Sequence, residues 1–427
     1  MEIILSTDFV QIAVSVLVAL VVMHVLLILG PAYGILLERK VAAWAQDRIG
    51  PNRVGPFGLL QPIADGIKFL MKEDYNPGNV DKGLFLLAPV LAVIPALIGW
   101  AVIPWGGSWD CPGFDWTMPE WLPAWLWGGV HFVVQPQRID IAVADINIGV
   151  IFILAIGSLA VYGLALGAWA SNNKYTFFGG IRGASQMLSY EIPMGICLLC
   201  VLLMAGTSHA GQIAASQSDY WFHVIPSWNI LQQPLAAALF FTCLLAESNR
   251  APFDLAEAEQ ELIGGFHTEY SSMKFAMFFL GEYIHMMIGA AFFCVLFLGG
   301  WHVPFLDYAM YGGPMPEAAG IVGVLVKFTA FFGKVVALLF VMMWIRWTLP
   351  RFRFDQLMRL AWRAMIPISL ALLLMTGIFV YLGWQDYLWA GNGAILLAVL
   401  AIAPHMPRDE IMNRRVPLAG SRFNPAV

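Results

Sequence analysis

Charge is scarce in this sequence: 12% of its 427 residues are Asp, Glu, Lys or Arg, whereas 59% are hydrophobic and the mean hydropathy is +0.72. No water-soluble domain needs that much apolar side chain to bury its core, so composition alone points to a chain that crosses a bilayer several times. Also missing are a Walker-type nucleotide loop, a dinucleotide fingerprint, a zinc-binding helix motif and the cysteine set of an iron–sulfur cluster. Any redox cofactor must therefore belong to a neighbour. The 5 cysteines are scattered, and Cys197 and Cys200, although at redox spacing, lie in an apolar stretch with no second pair, which is the pattern of packing residues. A formal charge of −5 is too small to suggest a strongly charged partner surface, and no nucleic-acid footprint is present. There is no internal repeat and no inverted pair of hydropathy blocks.

What is present is a series of long apolar runs. Charge-free stretches cover 9–37, 83–109, 146–173, 192–218, 220–246, 364–385 and 387–407, each at or beyond the roughly 20 residues that span a bilayer as helix. Two further runs carry isolated charges: 275–300 holds Glu282, and 325–347 holds Lys327 and Lys334. The expectation is an all-α polytopic membrane protein with nine transmembrane helices in one domain, residues 1–407, followed by a basic tail, 408–427. The first run lacks a basic leader and is followed by Glu38-Arg39-Lys40 instead of a cleavage site, so it reads as a retained helix. Lys and Arg crowd the connectors 38–82 and 348–363 and nearly vanish from 104–145, 207–229 and 301–324. The positive-inside rule then places the first two in the cytoplasm and the N-terminus outside. Arg408, Arg414, Arg415 and Arg422 return the tail to the inside if there are nine helices.

Two connectors have character of their own. In 104–145, Trp105, Trp109, Trp116, Trp121, Trp125 and Trp127 alternate with prolines, which suggests an aromatic belt at the outer interface. In 38–82, Gly50-Pro51-Asn52 and Gly55-Pro56 force turns. An amphipathic helix follows over 59–72, with Leu59, Leu60, Ile63, Ile67, Leu70 and Met71 on one arc and Gln61, Asp65, Lys68 and Lys72 opposite. Such a helix lies in the interface plane, where Asp65 and Lys68 are placed either to face solvent or to line an access route into the bilayer.

The densest chemistry is in the cytoplasmic connector 247–270, which sets Glu247, Asp254, Glu257, Glu259, Glu261 and Glu269 against the single arginine Arg250. Acids crowded at a low-dielectric boundary have their pKa values pushed toward neutrality, which suits them to carry protons. If 254–263 is helical, Glu257 and Glu261 share a face and repel. Glu38, Asp65, Asp145, Glu191, and Glu282 with His285 one turn on, extend the series into or against the membrane, where ionisable groups mark a pathway by default. The bland alternative pairs each acid with an arginine such as Arg48, Arg182 or Arg250.

Several ordered motifs then become recognisable. Glu38-Arg39-Lys40, Gln46-Asp47-Arg48-Ile49-Gly50-Pro51-Asn52-Arg53-Val54-Gly55 and Gln61-Pro62-Ile63-Ala64-Asp65-Gly66-Ile67-Lys68 closely resemble the first inner loop of the quinone-proximal membrane subunit of respiratory complex I. So do Ala144-Asp145-Ile146-Asn147-Ile148-Gly149, Gln186-Met187-Leu188-Ser189-Tyr190-Glu191, the acidic connector, Glu282-Tyr283 and Arg351-Phe352-Arg353-Phe354-Asp355-Gln356. The resemblance implies a bacterial inner-membrane subunit with an eight-helix core that forms a quinone-access channel, quinone being the substrate. FMN and iron–sulfur clusters would reside only in partner subunits. It also implies hydrophilic iron–sulfur and quinone-site partners, antiporter-like and small membrane partners, and surrounding lipid. Carried over by motif, Arg39, Arg48, Asp65 and Lys68 line the channel, and Glu191, Glu247, Glu257, Glu259, Glu261, Glu269 and Glu282 form a proton or charge relay. No metal site is expected. The Trp-rich connector and the ninth span with its tail exceed the family core. A related energy-converting hydrogenase subunit is the alternative, less well matched by the Gly-Pro-Asn-Arg-Val-Gly run. A cation/proton antiporter would show the repeats that are absent here.

Overall fold

The computed structural model describes residues 2–5, 7–24, 30–117, 131–221, 225–304, 307, 313, 316 and 318–405. Along the chain the helices are α1 (Thr7–His24), α2 (Gly34–Ala45), α3 (Gln61–Met71), α4 (Lys82–Gly99), α5 (Gly149–Ser158), α6 (Ala160–Ala170), α7 (Lys174–Ala205), α8 (Ala210–Ser216), α9 (Asn229–Gln232), α10 (Pro234–Glu247), α11 (Glu259–Leu262) and α12 (Ser272–Phe297). Helical segments at Ile321–Thr348, Phe354–Tyr381 and Gln385–Ile402 follow. Among the described residues, 7 helices are long and apolar enough to cross a membrane, and two shorter apolar ones, α1 and α10, occupy the remaining expected positions. The protein is thus an all-α polytopic membrane protein. The tail 408–427 lies outside the described residues.

Span boundaries depart from the hydropathy runs in two places. The run 192–218 is not one helix: α7 starts far earlier, at Lys174, where the Asn173 side chain accepts from the Tyr175 N–H at 3.0 Å. It ends at Gly206, whose φ of 67° breaks it, and α8 is a separate short piece. The run 220–246 likewise becomes helical in its transmembrane part only from Pro234, after a two-stranded hairpin of Tyr220–Trp221 and Ile225–Pro226 and the single turn α9. Hydropathy cannot see these breaks, because buried loop residues are as apolar as helix.

At the core sits α12, packed against α4, α10 and the helix Ile321–Thr348. Its second half from Tyr283 is buried almost without interruption. α4 and α6 approach closely because Gly163 has no side chain; a Cβ there would stand 2.8 Å from the Ala92 backbone nitrogen. Segments between and before the helices form small sheets, one ordering Glu2–Leu5, His131–Val134 and Phe114–Thr117, the other Gln137–Asp140, Ser108–Cys111 and Ala318–Ala319. Trp105 is no belt residue: it is 1% exposed and stacks on Trp100 with ring centroids 4.9 Å apart. Trp121, Trp125 and Trp127 lie outside the described residues, as does the side chain of Trp116. Cys197 and Cys200 are buried in the main core, as packing residues should be.

Candidate functional site: two cavities and the ion cluster between them

The amphipathic reading of 59–72 holds. α3 is a helix with no buried residue, and Ile63, Ile67, Leu70 and Met71 are exposed on its apolar arc, as suits a helix lying in the plane of the bilayer surface. Its opposite edge, through Pro62, Asp65, Gly66 and Phe69, closes a cavity of about 630 Å³ against α2 and α12. Aromatic and aliphatic side chains, among them Ile35, Phe275, Phe279, Leu280 and Tyr283, make most of its wall, and Glu38, Arg39, Arg48 and Asp65 supply the charge. Arg39 donates to Asp65 at 2.8 Å. Lys68 reaches the other Asp65 oxygen at 3.4 Å but does not line the space. A roomy apolar hollow with a few convergent polar groups is the ordinary form of a small-molecule site.

The second cavity, of about 60 Å³, lies on the other side of α12 and is lined by Glu247, Glu257, Glu282, His267 and His285 with Ser248 and Asn249. Consecutive residues of one helix therefore serve different spaces: Tyr283 faces the apolar cavity and Glu282 the polar one. Residues one apart point about 100° from each other around a helix, which is why one element can line both.

Between the cavities stands a buried ion cluster. Arg250 donates to both oxygens of Glu38, at 3.0 and 2.8 Å, also pairs with Glu282, and lies with its guanidinium carbon 4.2 Å from the Tyr283 ring centroid. Tyr283 and Arg346 also donate to Glu38. Nearby, Arg351 pairs with buried Asp254 at 2.6 Å. The fork and the ring stacking explain arginine here, since a lysine could not engage two carboxylates and a phenol at once.

In the connector, burial pushes the Asp254 carboxyl up even against Arg351, and burial together with the Glu282 and Asp254 charges pushes Glu257 well above the usual carboxylate range. Burial also drives His267 down to about 4. The 3.8 Å approach of His267 to Glu257 therefore joins two groups that burial biases toward their neutral forms. This is the elevation expected of crowded acids at an apolar boundary.

The remaining acids divide. Glu191 lies near enough to Glu247 to act on it electrostatically. Glu261 instead faces outward and pairs with Arg182 at 2.7 Å, and Glu269 accepts from Asn173 at 2.6 Å; neither lines the polar cavity. Glu259 begins the short α11, and its side chain lies outside the described residues. The condition of a helix over 254–263 is not met. Residues 254–258 turn, Ala258 and Ile263 have φ of 31° and 69°, and only Glu259–Leu262 is helical, so Glu257 and Glu261 point to different places instead of sharing a face. Gln186 holds the segment leading into this irregular path by donating to the carbonyls of Ala246 and Phe253 at 2.7 and 2.6 Å.

Arg346 escaped the sequence reading, although its position as a cation closing the apolar run 325–347 was a usable signal. Tyr283 and Arg351 sat within motifs without being singled out. Among the described residues no cluster of His, Cys, Asp and Glu could hold a metal ion.

The family model described as NADH dehydrogenase matches residues 17–377. The chain belongs to this family. It is 44% identical over 350 residues to an H subunit of NADH-quinone oxidoreductase from Cytophaga hutchinsonii, covering 82% of this chain and 92% of the relative. It is 44% identical over 360 residues to the H subunit of Leptospira biflexa, covering 84% and 92%. The H subunit of Flavobacterium psychrophilum matches at 42% over 365 residues, covering 86% and 96%. The family match ends before the helix Gln385–Ile402, so the last span lies beyond it.

Proposed function

We propose that this chain is the quinone-channel membrane subunit of a bacterial NADH-quinone oxidoreductase and couples quinone reduction to proton translocation through an acidic relay. The observation that carries the reading is Arg250, which binds Glu38 at the wall of the apolar cavity and Glu282 at the wall of the polar one. Quinone enters between α3 and α12, its headgroup oriented by Arg39, Arg48 and Asp65, while its electrons come from an iron–sulfur cluster of a hydrophilic partner. Reduction places negative charge in a dry site and takes up two protons. At 4 Å and an effective dielectric near 20, two unit charges interact by about 4 kcal/mol, enough to shift a neighbouring proton equilibrium by roughly three decades. Arg250 answers that charge by redistributing its pairing between Glu38 and Glu282. The change in Glu282 then passes to Glu247 and Glu191, and from there to antiporter-like membrane partners. In this reading Met1 faces the periplasm, the connectors 38–82 and 247–270 face the cytoplasm, and the protein resides in the inner membrane as a single helical domain with a cytoplasmic basic tail.

The test uses the assembled complex in native membranes. Glu282→Gln and Glu247→Gln keep shape and remove a proton, so quinone reduction and proton pumping should fall together while native-gel abundance stays near normal. Full pumping in both variants would overturn the relay.

A further inference from the structure

We propose that His285 is a proton-carrying group of the relay and that it exchanges protons with Glu247 through a water held beside Gly157. The inference rests on the relay reading and adds to it a named residue and a hydration site. His285 lines the polar cavity one helical turn beyond Glu282, and its Nε2 is buried with no hydrogen-bond partner among the described residues. A buried imidazole nitrogen left without a partner costs about 1–3 kcal/mol unless something satisfies it.

Gly157, on α5, shows where that partner sits. A Cβ built there would lie 3.2 Å from Glu247 Oε1 and 3.8 Å from His285 Cε1, so carboxylate and imidazole converge on one notch that only a glycine leaves open. Glu247 and His285 also both line the polar cavity, whose 60 Å³ exceeds the roughly 10–15 Å³ that a single water needs. A water in the notch has a carboxyl and an imidazole as partners, the polar surroundings an internal water requires.

The groups facing His285 come from three elements: Glu247 from α10, Glu257 and His267 from the connector, and Glu282 from its own helix. Ala92 of α4, Ala160 and Leu164 of α6, and Met187 of α7 contribute no charge. Proton transfer is then a neutral exchange. The Glu247 O–H bond breaks as the water takes that proton and delivers another to His285 Nε2, so a neutral acid and base become carboxylate and imidazolium with no change in total charge. Such exchange avoids placing net charge in a low-dielectric space, which is the costly alternative for any relay inside a membrane.

His285→Asn keeps a polar side chain without a titratable ring, and Gly157→Ala occupies the notch with a Cβ that crowds Glu247 Oε1. Two readouts on the whole complex separate this proposal from the relay itself. Infrared difference spectra on quinone reduction, with the Glu247 carboxyl band assigned by its loss in Glu247→Gln, should show that band shifted to higher frequency in both variants, because a water hydrogen bond is gone. Coupled pumping should fall about tenfold or more and its pH profile should move, as for loss of a general acid–base group. A Glu247 band unmoved in both variants overturns the water bridge. Pumping with an unchanged pH profile in His285→Asn, while Glu282→Gln is inactive, removes His285 from a relay that stands. Normal pumping in Glu282→Gln and Glu247→Gln removes the relay, and with it the proton-carrying role, whatever the band does.

Discussion

The two cavities share a wall and differ tenfold in size, about 630 Å³ against about 60 Å³, and they differ as much in chemistry. The larger is faced mostly by apolar residues, chiefly Phe, Pro and Ala, with charge confined to a few points; the smaller is ringed by three carboxyls and two imidazoles. A large apolar volume accepts the body of a ligand, whereas a small polar one is suited to water and protons. What separates them is a handful of ions on α2, α12 and the 247–270 connector, arranged around Arg250. The division of labour therefore depends on that wall more than on either space.

Breaking the wall should have the largest effect. Arg250→Leu leaves Glu38 and Glu282 buried without their shared cation, and removal of one partner from a buried ion network costs about 3–5 kcal/mol. Native gels should show little assembled complex. Wild-type abundance would mean that Arg346 alone can neutralise Glu38 and that the wall is not held by Arg250. Glu38→Gln is the informative partner change, because it keeps a hydrogen-bonding side chain for Tyr283 and should assemble better than Arg250→Leu.

The two cavities were unequally legible in the sequence. Turn signals and the amphipathic pattern over 59–72 were enough to place α3 and Asp65 on it, because amphipathic periodicity is a local property, whereas Arg39 on α2 came only from the motif resemblance. Glu282 also stood out, as a lone acid in an apolar run. The wall did not, because its pairs join residues far apart in sequence: Glu38 meets Arg250 212 positions away and Arg346 308 positions away. Spacing placed Glu257 and Glu261 on one face only if 254–263 were helical, and the chain instead turns there, just after Ala246 and Phe253 are held by Gln186, a side chain on another element. The proposed relay therefore contracts to Glu247, Glu257 and Glu282 around the cavity with Glu191 beside them, while Glu261 and Glu269 hold surface contacts.

The second prediction probes the polar cavity by pH. His267 falls from 6.5 to about 4 through burial, so it is neutral in the fold and binds its proton more readily when unfolded. Its contribution is fully present above about pH 6.5 and is lost as pH drops through about 4, a total of about 3 kcal/mol at roughly 1.4 kcal/mol per pH unit. Glu257, held above its usual range, has the opposite sign: its contribution is present below about 4.5 and is lost as pH rises through its elevated value. Thermal-inactivation midpoints measured from about pH 7 down to about 4.5 should fall less steeply in His267→Asn than in the wild type. Equal slopes would show that the imidazole is not buried neutral beside the polar cavity.

The third addresses the apolar cavity alone. Gly66 lines it, and a Cβ there would meet nothing within 4 Å, so Gly66→Phe fills space without forcing the backbone. The expected result is a rise of about tenfold in KM for quinone with protons pumped per electron unchanged, since a smaller pocket loses ground-state and transition-state binding alike. Altered pumping stoichiometry would mean that the two spaces are not separable.

The smallest effect should come from the rim. Asp65 is contacted by Arg39 at 2.8 Å and by Lys68 at 3.4 Å, but the Lys68 side chain is 58% exposed and lies outside the cavity wall. An exposed pair of that geometry contributes about 0.2–1 kcal/mol at most and is screened by salt. Lys68→Ala should therefore change quinone KM by less than about threefold, and raising the ionic strength should erase the difference. Arg39→Ala removes the closer partner, which also lines the cavity, and should exceed that loss at every salt concentration. If Lys68→Ala proves the more damaging of the two, the headgroup path runs along the outer side of α3, and Arg39 serves to hold Asp65 rather than to meet the quinone.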